Sequence, residues 1–125
     1  MEAGRKPSSR KEEGHAGEEE ACKFLFELGY RIVKRNFVYG HVGEIDVVAY
    51  DGDTLVFVEV KARSNYDFGT PEESITPRKQ TQLKRVAKMY YYVNKLEDVS
   101  CRFDVIAVES RNGKTEIRHH KTAFY

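Results

Sequence analysis

GEIDVVAYDGDTLVFVEVK, residues 43–61, carries three charged groups, Asp46, Glu59 and Lys61, where two adjoining strands would ordinarily be apolar. Both halves are rich in Val, Ile, Phe and Tyr and are separated by Asp51-Gly52-Asp53, so the segment reads as a β-hairpin with a short turn. Side chains alternate along a strand, which puts Glu44, Asp46, Val48 and Tyr50 on one face of the first strand and Leu55, Phe57, Glu59 and Lys61 on one face of the second. A two-residue turn at Asp51-Gly52 pairs Tyr50 with Asp53 and leaves Asp46 diagonal to Glu59. A four-residue loop pairs Tyr50 with Leu55 and sets Asp46 directly opposite Glu59. In either register the three charges share a face. Carboxylates roughly 4.5–8 Å apart across a ladder repel unless something positive lies between them. Lys61 and a divalent cation are the natural partners. Each residue alone would suit a solvated strand end, but Val56, Val58 and Val60 make the opposite face apolar, and Leu55 and Phe57 make the same face apolar. Charge in a strand covered on both sides points to a function.

The surroundings supply a frame. The 125 residues hold 21 basic and 20 acidic side chains, net charge +1, which suits one domain with one core and gives no global field to recruit nucleic acid. The longest apolar run, Leu55 to Val58, is too short for a membrane span, and the charged N-terminus lacks a signal-peptide core, so a cytoplasmic protein is expected. Cys22 and Cys101 stand alone in apolar-periodic segments and read as reduced core thiols.

Residues 1–12 are polar without periodicity and read as a disordered tail ahead of a single domain, 13–125. A helix is expected from Glu13 to Leu28, with Gly17, Ala21, Phe24, Leu25 and Leu28 as its buried stripe and Gly29 at its end. Tyr30–Phe37 reads as a strand, and Arg63–Ile75 as a linker with exposed-looking Tyr66 and Phe68. A second helix starts with Thr76 as N-cap and Pro77 in first position, runs to about Lys95, and buries Leu83, Val86, Ala87, Tyr90 and Val93. Cys101–Glu109 and Thr115–Lys121 complete the set as strands, giving the order α-β-β-β-α-β-β. The first three strands should be antiparallel, and the long crossover should lay the fourth parallel to the third. The fold class is α/β, a mixed sheet with flanking helices.

Ile45-Asp46, then Glu59-Val60-Lys61, framed by this strand order, resembles the PD-(D/E)XK nuclease superfamily and its restriction-endonuclease-like fold, with Ile in place of the usual Pro. The wider set resembles the YraN family of small bacterial proteins from about Gly14 to the C-terminus: Gly14-His15-Ala16-Gly17-Glu18, Arg35-Asn36, Gly43-Glu44-Ile45-Asp46, Phe57 to Arg63, Lys79 and Arg102-Phe103-Asp104-Val105. That family is similar to archaeal Holliday-junction resolvases in its core. The resemblance implies a metal-dependent DNA endonuclease, with branched or damaged DNA as its candidate substrates, and a dimer if two symmetric nicks are made. A non-catalytic module binding nucleic acid or protein on the same fold is the alternative.

Phosphodiester hydrolysis requires a neutralised phosphate and a deprotonated water. Asp46 and Glu59 would each give an oxygen to Mg²⁺ or Mn²⁺, with the Val60 carbonyl and waters completing the sparse protein ligation that Mg²⁺ accepts. Lys61 would orient the attacking water and offset charge on the phosphate. Glu18 has two readings, an acid complementing the dipole of the first helical turn or, as in related folds, a helix-borne approach to the metal. Glu44 shares the Asp46 face near the strand start. The second helix carries Arg78, Lys79, Lys84, Arg85, Lys88 and Lys95 and no acid between Thr76 and Lys95, an electrostatic footprint for phosphates to which Arg63 adds. Lys79, one turn in, should lie nearest the active centre. His119 and His120 alternate faces on the last strand and cannot share one metal.

Overall fold

The computed structural model describes residues 10–63 and 70–124. Helix α1 (Arg10–Glu27) is followed by strands β1 (Arg31–Tyr39), β2 (Gly43–Asp51) and β3 (Thr54–Arg63). A 3-10 turn (Pro71–Ser74) and helix α2 (Pro77–Val93) then lead to β4 (Cys101–Arg111) and β5 (Lys114–Phe124). The five strands lie in the order β1-β2-β3-β4-β5. Every neighbouring pair is antiparallel except β3 and β4, which the α2 crossover makes parallel, with Leu55 beside Cys101 and Glu59 beside Val105. This is the mixed sheet of a restriction-endonuclease-like fold.

The helices cover opposite faces. Ala21 and Leu25 of α1 pack on Val47, Ala49, Val56, Val58 and Ile106. Leu83, Val86, Ala87 and Tyr90 of α2 pack on Ile45, Val48, Leu55, Phe57 and Phe103. Buried Leu and Val each contribute about 1.5–3 kcal/mol, which makes these two clusters the main source of cohesion. Thr76 caps α2 by accepting a hydrogen bond from the Lys79 N–H at 3.1 Å. Gly17 lets α1 approach the sheet: a Cβ there would sit 2.6 Å from the Ala62 Cβ, so any larger residue would push the helix off β3.

Several expectations are corrected. Helix α1 begins at Arg10, so residues 10–12 join it instead of a tail, their Arg, Lys and Glu being good helix formers. Residues 1–9, and Tyr66 and Phe68 of the linker, lie outside the described residues. Leu28 and Val93 are exposed, Leu28 just beyond the end of α1 and Val93 as the last residue of α2. Cys22 and Cys101 are free thiols, half-buried rather than core. Tyr50 pairs with Leu55, the longer-loop register, yet Asp51 also pairs with Thr54, so Gly52 and Asp53 alone make the turn. Strict alternation in β2 also fails: Ile45 and Val48 both belong to the α2-side core, with Val47 on the α1 side. The break falls at Asp46, opposite Asn36 of β1, whose φ is +53°.

Candidate active site

The paired residues of β2 and β3 run from Asp51 with Thr54 to Val47 with Val58. Beyond that point the Asp46 carboxylate takes the place of a backbone acceptor, its Oδ2 receiving the Val60 N–H at 2.8 Å. Asp46 is thereby held beside Glu59, close enough for the two carboxyls to hydrogen-bond. Burial and then the Glu59 charge raise the Asp46 pKa to about 8, outweighing the Val60 N–H, which favours the anion. At neutral pH the pair thus retains a proton unless a cation replaces it. Glu59 is buried and faces two ammonium groups, Lys61 Nζ at 3.4 Å and Lys79 Nζ at 3.5 Å. Lys79 comes from the first turns of α2, so the crossover helix delivers a cation to a site built on β2 and β3.

Glu18 approaches from the other face. Its Oε1 accepts from Asn36 Nδ2 at 2.9 Å and lies 3.8 Å from Arg35 Nη2, and its charge adds to the upward pressure on Asp46. With α1 starting at Arg10, Glu18 is more than two turns inside the helix, so the dipole reading fails, because that effect fades within one turn. Arg35 is also bound to Glu19 at 2.6 Å. The left-handed Asn36 turns its amide toward α1 and fixes Glu18 there. Glu44 is exposed, outside this cluster.

Among the described residues no three His, Cys, Asp or Glu side chains group as a metal-binding set. Two carboxylates in contact, Asp46 held by a backbone N–H and Glu59 facing two ammonium groups, nevertheless fit a hard divalent cation that keeps several waters. The backbone of Val60 is at the site through its N–H, and its side chain belongs to the α1-side core.

The basic residues divide. Arg78, Lys79 and Arg85 line a cleft between α2 and the β1–β2 turn. Lys84 lies toward β5, its Nζ 5.9 Å from the Phe124 ring centroid, and Lys88 follows one turn later, exposed. Arg63 stands apart, donating to the Ala62 carbonyl at 2.9 Å beside Gly17 and Glu20 of α1.

Two ionic clusters escaped sequence reasoning. Asp104, fully buried, accepts from Arg102 Nε at 3.0 Å, from the Thr122 N–H at 3.0 Å and contacts His119 Nε2 at 2.8 Å. Arg102 also reaches the Tyr30 hydroxyl at 2.7 Å and Asp51 at 3.0 Å. Arg118 of β5 bridges Glu72 of the 3-10 turn, buried Glu109 and Glu116, while His120 contacts Glu72 at 2.8 Å. Arg-Phe-Asp at the start of a buried strand was the one visible signal, since a buried Asp demands a partner. His119 and His120 do face different ways, one to Asp104 and the other to Glu72.

A family model described as uncharacterised protein family UPF0102 matches residues 17–108. The chain belongs to this family. It is 44% identical over 118 residues to a UPF0102 protein of Desulforamulus reducens, spanning 91% of this chain and 96% of the relative. A UPF0102 protein of Lachnoclostridium phytofermentans is 47% identical over 117 residues, 93% of this chain and 95% of its own. One of Caldicellulosiruptor saccharolyticus is 43% identical over 118 residues, 93% and 99%. UPF0102 is the YraN family that the motifs resemble, and the matched segment runs from Gly17 through Glu18, Asp46, Glu59, Lys61 and Lys79 to Val108, stopping short of Arg118. Among the described residues no helix is long and apolar enough to cross a membrane.

Proposed function

We propose that this UPF0102 protein is a Mg²⁺- or Mn²⁺-dependent DNA endonuclease acting in the cytoplasm, with branched or damaged DNA as the first substrates to try. The observation that carries the reading is the contact of Asp46 with Glu59: two carboxyls side by side, Glu59 buried and Asp46 half-buried, with the Asp46 pKa raised to about 8. A fold gains nothing in stability from such a pair, and a cation between them removes the repulsion. Asp46, Glu59 and the Val60 carbonyl would hold the metal. When bound, the ion would polarise the phosphate and lower the pKa of a water. Lys61, salt-bridged to Glu59, would orient that water and offset charge growing on the phosphate. Lys79, whose Nζ contacts the same Glu59 oxygen as Lys61, would meet a phosphate oxygen from α2. Glu18, held by Asn36 and Arg35, would aim a further carboxylate toward the metal side of Asp46.

A binding module without catalysis has one observation in its favour, since Glu59 already has two ammonium partners and could rest as a structural ion cluster. Lys61→Ala separates the two. In a nuclease it keeps DNA and Mn²⁺ affinity but loses about 10²–10⁴-fold in cleavage, because its work is on the transition state. A purified wild-type protein that binds junctions yet cuts no duplex, flap or four-way substrate with either metal would establish the module. On a four-way junction two symmetric nicks need two sites, and a dimer on that substrate is expected.

A further inference from the structure

Helix α2 does not present its positive charge as one patch. Arg78, Gln82 and Arg85 follow one another at helical spacing on the flank turned to the β1–β2 turn, whereas Lys84 is on the flank turned to β5. Between the first flank and the turn lies a cleft of about 810 Å³. Its polar lining includes His41, Thr76, Arg78, Lys79, Gln82 and Arg85, and no described lining residue is acidic or a Phe, Tyr or Trp. The cleft is held open by a fixed spacer: Gln82 Nε2 donates to the Val42 carbonyl at 2.7 Å, and the same side chain fills the space over Gly43, 3.0 Å from where a Cβ would stand. Lys79 belongs to both places, forming a wall of the cleft while its Nζ reaches Glu59.

We propose that this cleft seats the sugar-phosphate backbone of one nucleic-acid strand next to the Asp46–Glu59 site and grips it without reading its bases. Guanidinium and ammonium groups backed by hydroxyl and amide donors match a row of phosphate oxygens. With no Phe, Tyr or Trp among the described lining residues and His41 the one ring, the lining offers bases little stacking surface. The strand's path to the active site rests on the nuclease reading; the binding itself does not. The strand can be single or one half of a duplex, the phosphate chemistry being the same.

The test is fluorescence anisotropy of the full chain with fluorescein-labelled single-stranded and duplex oligonucleotides of two unrelated sequences, in EDTA, over a salt series. The double variant Arg78→Gln, Arg85→Gln should lose about tenfold or more in affinity for both sequences, and its log–log salt slope should fall by roughly 1.4 for single strands or 1.8 for duplex, the loss of two phosphate contacts. The arm with the larger loss identifies the strand's source. Arg78→Lys with Arg85→Lys should keep the slope, which separates lost charge from lost folding. Lys84→Gln with Lys88→Gln should cost less than about threefold. The proposal is overturned if this second pair matches the first, if the slope does not move, or if the effect is confined to one sequence. Because EDTA removes cleavage, a chain that binds in this way but never cuts defeats only the nuclease reading, and a chain that cuts with the cleft variants binding normally defeats only the cleft.

Discussion

Asp46 and Asp104 start alike and end in opposite states. Each stands where a ladder becomes irregular, and each accepts a backbone N–H from the next strand, Val60 at 2.8 Å and Thr122 at 3.0 Å. Asp104 then gains a guanidinium and an imidazole, and although burial pushes its pKa up, His119, Arg102 and the Thr122 N–H together hold it below the usual carboxylate range. Asp46 gains another carboxylate, and burial with the Glu59 charge raises it to about 8. One is a finished structural contact. In the other, both ammonium groups lie on Glu59 and no ion pair reaches Asp46 among the described residues, which is what makes it the candidate site.

The largest expected difference is in activity. Asp46→Asn should lower Mn²⁺-dependent nicking of plasmid DNA by about 10²-fold or more with the fold retained, while Asp104→Asn should leave cleavage per folded molecule near wild type. Equal losses in two folded variants would erase the distinction. In stability the order reverses. Asp104→Ala removes the fully buried acceptor of Arg102, His119 and the Thr122 N–H and should cost about 3 kcal/mol, lowering Tm by about 10 °C in calorimetry, whereas Asp46→Asn in metal-free buffer at pH 8 should cost nothing or stabilise.

The pH dependence is smaller and has a sign. A carboxyl whose folded pKa is raised holds its proton better in the folded state, so its stabilising share is full below about pH 4 and is lost as pH rises through about 8. Metal-free wild type should therefore lose on the order of 2 kcal/mol between pH 5 and 9, less than the whole shift because the pair shares its proton, and Asp46→Asn should be flat there in urea titrations. Glu72 is opposite: its hydrogen bond from Arg118 lowers it to about 2, so its share is lost only as pH falls from about 4 toward 2. The smallest effect is the metal's own. Mn²⁺ at ten times Kd should add about 1.4 kcal/mol at pH 8 and less at pH 6, where a proton competes for Asp46, and Asp46→Asn should show neither.

Much of this was legible in residues 43–61. Hairpin chemistry at Asp51-Gly52-Asp53 and two β-rich runs determine β2 and β3, and the length of the α2 segment determines the parallel β4. The charges of Asp46, Glu59 and Lys61 in an otherwise apolar setting mark the site, although the simple alternation used to place Asp46 breaks at that very residue. Asp46 reaches Glu59 because the strands separate there and its side chain bonds across the gap.

By itself the sequence determined the element order, the sheet's one parallel pair and which of the hairpin's charged residues, Asp46, Glu59 and Lys61, come together, because those follow from local periodicity, turn chemistry and charge in apolar surroundings. Only the tertiary structure decided that Asn36 aims Glu18, that Lys79 faces Glu59, that Asp104 is held by Arg102 and His119, and that α2 turns Arg78 and Arg85 into a cleft while Lys84 goes to β5. The physical reason is that pairing energy depends on distance and burial between groups far apart in the chain, and neither is set until the helices have docked on the sheet.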